Sequence, residues 1–218
     1  MSVPRIKVCC IASVAEARRA IDAGASALGL VSAMPSGPGV IPWETIAEIG
    51  AAVPPPIATF LLTCSQEAEE IVEQQRRCGT SVVQICDRLL RGSYAELRRA
   101  LPGIRLVQVI HVVDASSIDE ARAAARHVDA LLLDSGNQSL AFKELGGTGR
   151  VHDWTLSARI RESVGVPLFL AGGLRAENVR EAIAAVRPFA LDVCSGVRTK
   201  GALDETKLGA FVEAALTP

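Results

Sequence analysis

The amino-acid sequence predicts an α/β fold, a single closed (β/α)8 TIM barrel forming one domain over residues 1–218. Three observations carry that expectation. Eight short β-branched apolar runs alternate with eight Ala-, Leu-, Glu- and Arg-rich helical patterns from one end of the chain to the other. The connections are short, with one exception, as sequential βα units require. The turn after the first run reads Cys10-Ile11-Ala12-Ser13 and holds no glycine, so the G-x-G-x-x-G signature of an open dinucleotide-binding sheet is missing.

In chain order, the first strand is expected over Arg5–Ile11, with its helix over Val14–Ala23 opened by the capping residue Ser13. The second pair is Ala27–Val31 and Trp43–Ala51. The rigid connector Pro54-Pro55-Pro56 then leads into the third, Ile57–Leu62 and Gln66–Arg77, with Ser65 as cap. Ser81–Ile85 and Tyr94–Ala100 follow, the helix capped by Ser93. Next come Arg105–His111 and Ile118–Arg126, with Ser116 as cap. The last three strands are Ala130–Leu133, Pro167–Ala171 and Ala190–Val193, followed by helices Trp154–Val164, Glu177–Val186 and Asp204–Leu216. The one long connection, Ser135–Asp153, is rich in Gly, Ser and Asn and reads as a lid or part of a site.

Composition narrows the function classes. A chain of 218 residues that is 49% hydrophobic can bury a large core. Its 23 basic and 24 acidic residues leave a net charge of -1, which offers no footprint for nucleic acid or an anionic membrane surface. No apolar run approaches the ~20 residues of a membrane span, and the opening segment lacks a signal-peptide pattern. The six cysteines show no C-x-x-C spacing, so neither a metal site nor a disulfide framework is expected, and a cytoplasmic location fits. Of the three histidines, His111 ends an apolar run and is expected to be structural rather than a ligand.

In a parallel barrel, the C-terminal ends of all strands share one mouth. That rule brings together Cys9, Asp134 and Asp192 with the glycine-rich segments Gly146-Gly147-Thr148-Gly149, Ala171-Gly172-Gly173-Leu174 and Ser195-Gly196. Asp134 is either a general acid/base or a turn-capping carboxylate. Cys9 is either a small buried hydrophobe or a thiol base, with Cys10 on the opposite face of the same strand. Gly172, Gly173, Ser195 and Gly196 follow the seventh and eighth strands, where barrels bind phosphate through backbone N–H groups.

These motifs, in this order and after these strands, resemble the phosphoribosylanthranilate isomerase family. The likeness runs through Lys7-Val8-Cys9, Leu132-Leu133-Asp134-Ser135, Asp153-Trp154, Leu170-Ala171-Gly172-Gly173-Leu174 and Asp192-Val193-Cys194-Ser195-Gly196-Val197 and covers nearly the whole chain. The resemblance implies an Amadori rearrangement of N-(5-phosphoribosyl)anthranilate without any cofactor or metal, in a monomer or a homodimer. It implies Asp134 as the general acid at the ribose ring oxygen and Cys9 as the base at C2. Gly172, Gly173, Ser195 and Gly196 become phosphate-binding, and Asp192 organises the site.

Four positions depart from the family pattern. Gly39 stands where an anthranilate-holding arginine is expected, Cys86 where a histidine is usual, Cys194 replaces a serine, and Arg198 replaces an acidic residue. Arg88, Arg150 and Arg198 are the candidates to replace the missing cation. The alternatives are a divergent paralogue acting on another phosphorylated aminosugar, and a non-catalytic barrel that binds a phosphorylated ligand.

Overall fold

Eight parallel strands hydrogen-bond to one another in chain order and close into a barrel. They are β1 (Arg5–Val8), β2 (Ala27–Val31), β3 (Ala58–Thr63), β4 (Val82–Ile85), β5 (Arg105–His111), β6 (Ala130–Asp134), β7 (Leu168–Leu170) and β8 (Ala190–Val193). The helices between and after them are α1 (Val14–Asp22), α2 (Trp43–Ala52), α3 (Ala68–Cys78), α4 (Tyr94–Ala100), α5 (Ser116–Ala125), α6 (Trp154–Ser163), α7 (Val179–Val186) and α8 (Glu205–Leu216). A small antiparallel pair, β9 (Arg198–Thr199) and β10 (Ala202–Leu203), precedes α8. This computed structural model describes residues 3–136, 145 and 149–217. Gly146, Gly147 and Thr148, and most of the long connection after β6, lie outside the described residues.

Closure is made by β1, which pairs with β2 at Lys7↔Ala27 and with β8 from Arg5↔Ala190 to Val8↔Val193. The sheet therefore has no open edge. Both faces of each strand are covered, which is why the strands read as near-continuous apolar runs. Outward side chains such as Leu28, Leu30, Leu61 and Leu191 pack beneath the helices with Ile46, Ile49, Ile71 and Phe211. Inward ones, among them Ala27, Phe60, Leu62, Val107, Leu132 and Phe169, fill the barrel. Phe60 and Phe169 meet edge to face across the interior, 5.6 Å between ring centres, and the inner layer thereby forms a solid floor beneath the mouth.

Some boundaries differ from expectation for identifiable reasons. The first strand ends at Val8 rather than Ile11 because Cys10 has φ +62°, a left-handed conformation incompatible with a continuing strand. Ser13 and Ser93 cap their helices, the latter in a reciprocal capping box with Glu96. Ser65 and Ser116 do not. Ser65 bonds within its own turn, to the Glu67 N–H and the Glu70 carboxylate, and Ser116 lies inside α5 with its hydroxyl on Asp114. Among the described residues, no helix is long and apolar enough to cross a membrane.

Candidate active site

The mouth at the strands' C-terminal ends is an open bowl of about 680 Å³, solvent space included. Its walls include Cys9, Asp134, Gly172, Gly173, Asp192 and Ser195, drawn from β1, β6, β7, β8 and their turns. Six of the seven residues singled out in the sequence thus come together. Gly196 does not line the bowl. It lies behind the wall, where a Cβ would stand 2.0 Å from the Leu174 carbonyl oxygen, so its role is to let the turns after β7 and β8 touch.

Cys9 is held by its backbone at both ends. Its N–H donates to the Val193 carbonyl at 2.8 Å, and its own carbonyl accepts from Arg198 Nη2 at 3.2 Å. Asp134 terminates β6, where its Oδ1 accepts the Ser135 N–H at 2.7 Å. That bond engages one of its two carboxyl oxygens. Beneath them lies an ion pair between Lys7 Nζ and Asp192 Oδ1, 2.8 Å apart and buried. Burial pulls the Lys7 ammonium toward neutrality, but attraction to Asp192 and then Cys9 outweighs it, and Lys7 is raised. Burial pushes Asp192 up against the opposing pull of Lys7. A Cβ on Gly29 would lie 2.8 Å from Cys9 Sγ and 3.1 Å from Lys7 Nζ, so only a glycine on β2 lets the ammonium approach the thiol.

The turns after β7 and β8 form the opposite wall. Gly172 and Gly173 have φ +83° and +63°, and a Cβ on Gly173 would strike the Arg150 carbonyl carbon at 2.7 Å. Among the described residues, the N–H groups of Gly172, Gly173 and Ser195, which line the bowl, have no backbone acceptor. Glycine turns that leave backbone donors open at a barrel mouth suit an anion.

The remaining wall is apolar and carries the departures. Val31, Met34, Pro38 and Leu62 line it. Gly39 leaves no room for the expected arginine: with φ +83°, its Cβ would stand 2.5 Å from Cys10 Cβ. The expectation that Cys9 and Cys10 face opposite ways also fails, because the left-handed turn at Cys10 swings its side chain into the bowl beside Cys9.

Two of the proposed substitute cations are engaged elsewhere. Arg88 grips Glu120 at 3.1 and 3.2 Å on the surface. Arg198 is buried, bonded to Glu16 at 3.2 Å and to the carbonyls of Cys9 and Cys10. Burial pushes Glu16 up, but Arg198 and the N–H groups of Ala12 and Leu203 more than offset it and hold the carboxyl below its usual range. Arg150 lies at the rim, its backbone against Gly173. Sequence reading missed the Glu16–Arg198 brace and the inward-facing Cys10. A charged residue in the first turn of a helix looks like any solvated acid, and no local pattern announces a left-handed cysteine. His111 is structural, its Nε2 on the Cys86 carbonyl at 3.0 Å. His152 lies by the same turn, its Nδ1 2.9 Å from where a Cβ on Gly172 would be, and burial lowers its pKa.

A family model described as N-(5'-phosphoribosyl)anthranilate (PRA) isomerase matches residues 6–214. An N-(5'-phosphoribosyl)anthranilate isomerase of Haloferax volcanii is 36% identical over 215 residues, covering 98% of this chain and 93% of its own. The solved phosphoribosyl anthranilate isomerase of Thermotoga maritima superposes with a TM-score of 0.81 at 28% identity, covering 97% of this chain and 98% of its own. A phosphoribosyl anthranilate isomerase in complex with reduced 1-(o-carboxyphenylamino)-1-deoxyribulose 5-phosphate superposes with a TM-score of 0.78 at 27% identity, with the same coverage of both chains.

Proposed function

The chain belongs to the N-(5'-phosphoribosyl)anthranilate isomerase family, and on that premise we propose that Asp134 and Cys9 carry its Amadori rearrangement of N-(5'-phosphoribosyl)anthranilate. The observation that supports this most directly is the placement of both residues on one bowl with the glycine turns after β7 and β8. The substrate phosphate is read as seated on the turns of Gly172-Gly173 and Ser195, with Gly196 keeping those turns in contact. That seat points the sugar at the barrel axis and the aglycone at the apolar wall of Val31, Met34 and Leu62.

Asp134, one oxygen held by Ser135, gives its proton to the ribose ring oxygen as the C1–O bond breaks, leaving a protonated Schiff base at C1. Cys9, as thiolate, then takes the proton from C2. The electron pair of the C2–H bond forms the C1–C2 double bond of an enolamine, which tautomerises to the 2-ketone. The Lys7 ammonium beneath the floor offsets negative charge on Cys9, and Asp192 holds that ammonium in place. The enzyme is read as a monomer or a homodimer. It is read as cytoplasmic, because its six cysteines show no disulfide-framework spacing.

The test is a coupled assay with substrate generated in situ, following loss of anthranilate fluorescence while the next enzyme removes product. Cys9→Ala and Asp134→Asn are each expected to lower kcat by about 10²–10⁴-fold, the usual contribution of a positioned acid or base. Undiminished turnover in either variant overturns the assignment.

One observation favours a second reading of the aglycone. Among the described lining residues there is no arginine, lysine or histidine. An aminosugar 5-phosphate without a carboxylate, assayed beside the anthranilate compound, separates the two: preference for the uncharged aglycone favours the second.

A further inference from the structure

Cys10 and Cys194 stand on the turns after β1 and β8, 184 residues apart in sequence, yet their sulfurs are 2.9 Å apart. Two features hold them there. The left-handed backbone at Cys10 turns its thiol inward, a conformation that residues with a Cβ rarely adopt. On its other side, the Cys10 sulfur meets the Pro38 carbonyl at 3.4 Å and fills the space beside Gly39. The Cys10 carbonyl is pinned by Arg198. Neither thiol has a part in the acid/base chemistry assigned to Cys9 and Asp134, although both line the same bowl.

We propose that Cys10 and Cys194 are a reversible dithiol–disulfide pair, oxidised by low-molecular-weight disulfides, whose closure slows turnover at the neighbouring Cys9. The inference rests on the isomerase reading for its effect on activity, but not for the bond itself. Cys194 is the more exposed of the two and is the entry point. Its contact with Cys10, together with Arg198, favours its thiolate against the opposing effect of burial, while the same contact holds the Cys10 proton.

The Cys194 thiolate attacks one sulfur of the small disulfide and expels the other as a thiolate, leaving a mixed disulfide. Cys10 then loses its proton and attacks the Cys194 sulfur, releasing the second small thiol. Two protein thiols give up two electrons and two protons, and one small disulfide becomes two thiols.

A disulfide bond is about 2.05 Å long, so closure draws the two turns together. Cys9 immediately precedes one of these turns, and Ser195 immediately follows the other. The movement therefore falls on the base and on the phosphate seat at once. A misplacement of ~1 Å can cost about 10²-fold in rate, and that is the loss expected on oxidation.

The experiment treats the full chain with glutathione disulfide, then measures isomerase turnover and maps peptides by mass spectrometry under non-reducing conditions. Expected are a Cys10–Cys194 linked peptide, a fall in kcat of about 10²-fold and recovery of both with dithiothreitol. Cys194→Ser, or Cys10→Ala should the first variant not fold, is expected to keep its own starting rate under the same treatment. A map without that link, a link to Cys9 instead, or equal inactivation of the variants overturns the proposal. Absence of turnover in the fully reduced protein overturns the isomerase reading, while the peptide map still decides the thiol pair.

Discussion

Arg198 binds a carboxylate and the two carbonyls of Cys9 and Cys10, all away from bulk water. Its guanidinium fork suits this task because it presents several donors in one plane. Removing one partner of a buried pair leaves an uncompensated charge. Arg198→Met is therefore expected to destabilise the fold by about 3–5 kcal/mol and to lower kcat by releasing the turn that carries Cys9. The double variant Glu16→Gln/Arg198→Met should recover much of the stability in urea titration but not the rate. The pH dependence has a definite sign. Because the folded-state pKa of Glu16 is depressed, its contribution is fully present above the unfolded carboxylate value of about 4.3 and is lost as pH falls through the lower folded value. Urea titrations of wild type and Glu16→Gln should therefore converge below about pH 4. A difference that grows on acidification would contradict the brace.

At the scale of elements, the site depends on how closely the turn after β7 meets the turn after β8. Gly196 permits that contact, since any Cβ there would overlap the Leu174 carbonyl oxygen at 2.0 Å. Gly196→Ala has to push the turns apart, and because the obstacle is backbone, no rotamer change relieves it. The KM for the phosphorylated substrate is expected to rise at least about 10-fold, equivalent to roughly 1.4 kcal/mol of binding, with kcat less affected. A KM unchanged from wild type would remove these turns from the phosphate seat. Gly172 and Gly173 were legible as turn glycines because adjacent glycines after an apolar run have few other uses. Gly196 was also legible, but which way it faced was not.

For the molecule as a whole, rigidity comes from two shells: a barrel packed with side chains and a helical layer closed over it. α8 completes the outer shell through Leu208, Phe211 and Ala215. Phe211 has no exposed surface, so Phe211→Ala is expected to cost about 3–5 kcal/mol, with kcat per folded molecule unchanged. Chemical denaturation followed by an assay of the surviving native fraction checks both halves. A matching fall in kcat would mean that the outer shell transmits strain to the mouth.

The sequence by itself determined the barrel, the order of its elements and the rim that gathers Cys9, Asp134, Asp192 and the glycine turns. Each of these follows from hydrophobic periodicity and from the rule that parallel strand ends share a mouth, both of which act locally or by topology alone. Tertiary structure decided what depends on distances between residues remote in sequence. It set the Glu16–Arg198 brace between α1 and β9, the collision that excludes an arginine at Gly39, and the inward turn that brings Cys10 beside Cys194. A left-handed backbone or a buried ion pair is stabilised by groups arriving from the far side of the barrel. No pattern within one segment could have announced them.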